Sequence, residues 1–153
     1  MNTFHDLFRQ PTRRVGGGFP PDRRRELFPG FVERSPKLHL RTDQAVPAKG
    51  AYLLLGVATW SGYDMNLLDL IEEVPDNGVR VEVFDADSFS TPDDLARLIP
   101  GTAFLQTPFV GYWLDGKLVE SASGYAARQL VARVCGLDLA EVDDRMKSVT
   151  ARV

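Results

Sequence analysis

The chain has 153 residues, 44% hydrophobic and 25% charged, which fits one ordinary globular domain with length to spare for an arm or tail. A single cysteine, Cys135, and two histidines, His5 and His39, exclude an internal disulfide, a Cys-x-x-Cys pair, a cysteine-rich zinc site and a multi-histidine metal site. The net charge of −3 divides unevenly: residues 1–49 hold ten Lys/Arg against five Asp/Glu (+5), and residues 50–153 hold eight against sixteen (−8).

Residues 1–36 read as a basic N-terminal extension. The stretch Arg13-Arg14-Val15-Gly16-Gly17-Gly18-Phe19-Pro20-Pro21 buries little and costs much entropy to order, so flexibility is expected there. Thr12-Arg13-Arg14 lacks the apolar run of an export signal after it. No run reaches the ~20 apolar residues of a membrane helix, and a cytoplasmic location is the default expectation. Phe4, Leu7 and Phe8 fall at i, i+3, i+4, a small apolar face that could dock on a partner or on the protein's own body. Asp22 to Phe28 reads as a short helix stopped by Pro29-Gly30.

From residue 37 the pattern becomes regular. Lys37-Leu38-His39-Leu40-Arg41 alternates as a half-buried strand does, and Tyr52 to Ala58 is continuously apolar, as for a central strand covered on both faces. Ser61 to Glu73 reads as a helix with Ser61 as its cap, Asp64 completing a Ser-x-x-Asp capping box, and Leu67, Leu68, Ile71 and Val74 as its stripe. Val79 to Phe84 alternates again. Ser90-Thr91-Pro92-Asp93-Asp94 opens a short helix that ends by Pro100-Gly101. Phe109 to Leu114 and Lys117 to Ser121 flank Asp115-Gly116, the signature of a hairpin with a type I′ turn. Ser123 or Gly124 opens a helix with Ala127, Leu130, Val131 and Val134 inward and Gly136 as its end. Residues 137–153 read as a polar helix or tail, with Leu139, Val142 and Met146 on one side. Cys135, at a helix end, reads as core packing. The order implies an α/β domain over 37–136, a mixed central sheet with helices on both faces.

This order, with its motifs, resembles the thioredoxin family over about Leu38 to Gly136. Trp60-Ser61-Gly62-Tyr63-Asp64 follows the central strand where the family carries Trp-Cys-Gly-Pro-Cys. Thr107-Pro108 falls where the family has a cis-proline, and Phe109 to Val119 has the pattern of its last hairpin, with Gly124 at the family's spacing. The resemblance implies a thioredoxin-like fold whose first helix is shortened or absent, since Thr42 to Lys49 leaves no room for it. Ser61 and Asp64 stand for both cysteines, Leu55 for the family's buried acid, and an apolar position near Val83 for its paired lysine. Thiol–disulfide exchange needs an attacking thiolate and a resolving thiol, and both are gone.

The expectation is therefore a redox-inactive, non-enzymatic protein-binding module without a cofactor: an adaptor, assembly chaperone or complex subunit. It would bind another protein through Trp60, Ser61, Gly62, Tyr63, Asp64, Thr107 and Pro108, with the basic arm as a second attachment. Self-association stays open. The alternative is a monothiol or glutathione-dependent enzyme in which Ser61 replaces a cysteine or steadies a bound thiolate. No histidine neighbours Ser61 in sequence, so a Ser-His nucleophile is not supported. The Arg23-Arg24-Arg25 run lacks the pattern of a nucleic-acid reader.

Overall fold

The computed structural model describes residues 24–42, 45–88, 92–101 and 106–138. The Phe4/Leu7/Phe8 face, the Arg13-Arg14 pair, the helix cap at Ser90-Thr91 and the stripe at Leu139, Val142 and Met146 lie outside these residues. In chain order the elements are α1 (Arg24–Glu33), β1 (Leu38–Leu40), β2 (Ala51–Val57), α2 (Gly62–Glu73), β3 (Val79–Asp85), a 3₁₀ turn (Ala86–Ser88), α3 (Pro92–Leu98), β4 (Phe109–Leu114), β5 (Lys117–Ser123) and α4 (Tyr125–Cys135). Among the described residues no helix lies between β1 and β2, and no helix is long and apolar enough to cross a membrane.

The strands form one mixed sheet in the order β1-β3-β2-β4-β5. β1 and β2 run parallel to β3; β4 runs antiparallel to β2 and to β5. β2 takes the centre because every residue from Tyr52 to Val57 can be buried without stranding a polar side chain. Its alternate residues serve two cores. Leu53, Leu55 and Val57 face a larger core with α1, α2 and α4, built around Phe31, Met65, Leu67, Leu68, Leu130 and Val131. Tyr52 and Leu54 face a smaller one with Phe84, Leu95, Ile99, Phe109 and Trp113, which α3 helps to close. Gly56 sits where β2 meets Phe84: a Cβ there would come within 2.4 Å of the Phe84 ring. Helices thus cover both faces.

Helix α1 departs from the sequence reading. It does not stop at Pro29-Gly30 but runs through both to Glu33. Phe28, Phe31 and Val32 lie at i, i+3, i+4 and are all buried in the larger core. Each such side chain contributes about 2 kcal/mol on burial, and three together outweigh the ~3 kcal/mol that proline costs inside a helix. Residues 24–33 of the basic extension are thereby part of the packed body.

The hairpin forms with both turn residues at positive φ, Asp115 at 51° and Gly116 at 82°, as a type I′ turn demands. Asp115 is tied to the β1–β2 connection, donating its N–H to the Gly50 carbonyl (3.0 Å) and accepting the Gly50 N–H (2.8 Å) on its carboxylate. β5 runs two residues further than its pattern promises, to Ser123. It carries a bulge: Tyr112 pairs with Glu120 and Trp113 with Leu118, leaving Val119 as the extra residue.

Candidate functional site

The site begins with the turn that ends β2. The Ser61 N–H donates to the Ala58 carbonyl (2.9 Å), which places Ser61 in extended backbone as the N-cap of α2. Its hydroxyl accepts the Asp64 N–H over a long 3.5 Å. The capping-box reading holds for this half alone. A reciprocal bond needs a free Ser61 N–H, and the turn already uses it. The Asp64 carboxylate instead turns inward and accepts the Ala58 N–H at 2.7 Å.

Asp64 is therefore a buried group, 1% exposed, rather than part of a surface patch. Burial raises its pKa above the ordinary carboxylate range; the hydrogen bonds from the Ala58 N–H and the Thr107 side chain, and the nearby Arg128 charge, act in the opposite direction. Arg128 comes from α4, with Nη2 4.0 Å from Asp64 Oδ1 and its guanidinium 5.1 Å from the centre of the Tyr63 ring. Its Nε is buried without a hydrogen-bond partner among the described residues.

Around Asp64 and the half-buried Arg128 opens a cleft of ~490 Å³ lined by Trp60, Ser61, Tyr63, Asp87, Thr107 and Phe109, among others. Trp60 is 52% exposed, yet its indole N–H donates to the Asp87 carboxylate at 2.9 Å, so the ring is held by its polar edge. The Thr107–Pro108 peptide is cis, as its sequence position led us to expect. The Pro108 carbonyl accepts the Gly124 N–H (2.9 Å), joining this corner to the start of α4. Gly124 has φ +63°, and a Cβ there would meet Gln106 Oε1 at 2.7 Å.

The structure thus gathers Trp60, Ser61, Tyr63, Asp64 and Thr107 at one cleft. Trp60 is exposed and Ser61, Tyr63 and Thr107 are half-buried, whereas Gly62, Asp64 and Pro108 are buried. Pro108 therefore offers little surface of its own. Sequence reasoning missed Asp87, Gln106, Phe109 and Arg128. Arg128 carried a weak signal, a cation beside the inward-facing Ala127 of an apolar helix stripe; nothing local linked it to Asp64.

Leu55 and Val83 are both fully buried and stand opposite one another across β2 and β3. Cys135 lines a different cleft, and burial pushes its thiol up to about 12. Among the described residues no cluster of three or more His, Cys, Asp or Glu is arranged to hold a metal ion. No protein-family model matches the chain, and a search of curated proteins finds no match to it.

Proposed function

We propose that this chain is a non-catalytic, thioredoxin-like protein-binding module, an adaptor, assembly chaperone or complex subunit that presents the Trp60 cleft to another protein. The strand order, a helix starting directly after the central strand, and Thr107-Pro108 against that helix start all support the resemblance. One observation carries the functional reading. Both groups standing where a redox dithiol would be are engaged in holding the fold: Ser61 caps α2, and Asp64 binds the Ala58 N–H. What the segment leaves outward is Trp60, a large amphipathic side chain of the kind that anchors protein interfaces.

The test has two arms. Purified protein is assayed for insulin reduction with dithiothreitol or a reductase as electron source; the expected rate is that of the reductant alone. Tagged protein is used to capture partners from its native cell, with Trp60→Ala in parallel. A retained partner lost in Trp60→Ala supports the proposal. Insulin reduction above background, or glutathione binding at the cleft by calorimetry, would overturn it.

A further inference from the structure

Arg128 differs from the other residues lining the Trp60 cleft in how poorly its donors are served. It lies in the first turn of α4, with 16% of its side chain exposed. Nη2 stops 4.0 Å from Asp64 Oδ1, beyond hydrogen-bond range, and Nε is buried without an acceptor among the described residues. Asp64 is already divided, since its carboxylate accepts the Ala58 N–H at 2.7 Å and a bond from the Thr107 side chain. A guanidinium presents its N–H groups as a planar fork, and a buried donor left without an acceptor is costly. The contact with the Tyr63 ring, 5.1 Å from its centre, engages the face of the guanidinium and none of its N–H groups.

We infer that the Trp60 cleft selects a protein partner through an acidic side chain of that partner, whose carboxylate accepts from Arg128 while its apolar stem lies along the exposed Trp60 ring. That assignment rests on the binding-module reading above and names the chemistry the module selects.

The charges around the cleft support an anionic occupant over a cationic one. Its acids are Asp64, 1% exposed and turned inward, and Asp87, exposed and accepting the Trp60 indole N–H at 2.9 Å. Against them stand Arg128 and the first turns of two helices. The N-cap of α2, Ser61, lines the cleft, and α4 begins at Gly124, which gives its first-turn amides no side-chain cap. Each helix start carries about half a positive charge. A cationic side chain would be set against Arg128 and both helix starts, whereas a carboxylate meets its complement there. The two oxygens of a carboxylate also match the guanidinium fork in shape.

Depth narrows the choice further. Trp60 is 52% exposed and Arg128 lies deeper, so a group that reaches the guanidinium from outside must travel on a narrow stem. Glutamate has such a stem, apolar and long enough to pass the indole before its charge begins.

The experiment titrates three blocked pentapeptides into isotope-labelled full chain. The peptides differ only in the central residue, Glu, Gln or Lys, between two leucines. The signals read are the Trp60 indole N–H, the Arg128 Nε–H, and the backbone amides of residues 60–64 and 124–128. The glutamate peptide is expected to shift these signals and to bind roughly tenfold more tightly than the glutamine peptide, with the lysine peptide weaker still. In Arg128→Gln the preference for glutamate over glutamine should vanish, and in Arg128→Lys it should survive in part. Because the preference is a ratio within one variant, a loss of stability on substitution does not imitate it, and Arg128→Lys serves where Arg128→Gln does not fold. Equal binding of the glutamate and glutamine peptides to wild type, tighter binding of the lysine peptide, or a preference that survives Arg128→Gln overturns the inference. So does a larger response of the Arg128 signals to inorganic phosphate, which would make the site one for phosphate. Equal binding with shifts at Trp60 leaves the binding-module reading standing, since the cleft then still holds peptide. Peptides that shift none of these signals also overturn the inference, and the module reading is then decided by the Trp60→Ala capture alone.

Discussion

Glu82 and Asp64 are carboxylates sunk below the surface in two different settings. Glu82 lies mid-strand, where it accepts the Tyr52 hydroxyl (2.9 Å) and pairs with Arg80 (2.9 Å), two residues away on the same face of β3. Arg80 remains half-exposed, so the charge is shared with solvent. Asp64 lies in the first turn of α2, and its partners come from three places: the Ala58 N–H before the helix, Thr107 beyond α3, and Arg128 on α4. One carboxylate is served by its own strand and its neighbour. The other pins the start of a helix to the corner where two further segments meet, and so fixes the floor on which Trp60 stands.

The comparison breaks most readily at Asp64. Asp64→Ala orphans the buried Ala58 N–H and leaves Arg128 without its ion partner, and a loss of about 3 kcal/mol in urea unfolding is expected. A cost below ~1 kcal/mol would mean that the corner does not depend on the carboxylate. Tyr52→Phe is the matching change at Glu82. It removes one hydroxyl donor but leaves Arg80 in place, and about 1.5 kcal/mol is expected by the same measurement.

Acidity separates the two settings further. Because Asp64 has a raised pKa in the native state, the native protein holds that proton more tightly than the unfolded chain does. The charge of Asp64 thus carries a stability penalty at neutral pH, and the penalty is relieved as pH falls through the raised native value. Measured against Asp64→Asn, the wild type should gain stability on acidification and level off below about pH 4, where the unfolded carboxyl is also protonated. A difference that is flat with pH, or that grows in the other direction, would contradict the burial argument. The smallest effect is expected at the surface. Trp60→Phe keeps the ring but removes the donor to Asp87, and about 0.5 kcal/mol is expected.

Much of the architecture was legible because it is local. The apolar run at the centre of β2, the Asp115-Gly116 turn and the Ser61 cap each act within a few residues, and each forms where expected. The course of α1 was not legible. Proline and glycine are local signals for a stop, whereas the burial that overrides them comes from Leu38, Met65 and other residues far along the chain. The site divides in the same way. The grouping of Trp60, Ser61 and Tyr63 follows from one helix start. The inward turn of Asp64 does not, because it depends on a Ser61 N–H already committed to a turn and on an arginine 64 residues away. A Ser-x-x-Asp pattern describes two residues and is silent about what lies behind them.

The bulge in β5 bears on how these molecules behave in a crowd. β5 is the last strand of the sheet, and Leu118 and Val119 on it are exposed, Val119 by 56%. A flat strand of that composition would be a template on which identical chains could stack without limit. The extra residue at Val119 breaks the spacing of donors and acceptors along that border, so a second hairpin laid against it cannot match bond for bond. One inserted residue thus works against the stacking of identical chains along the margin that carries these apolar side chains.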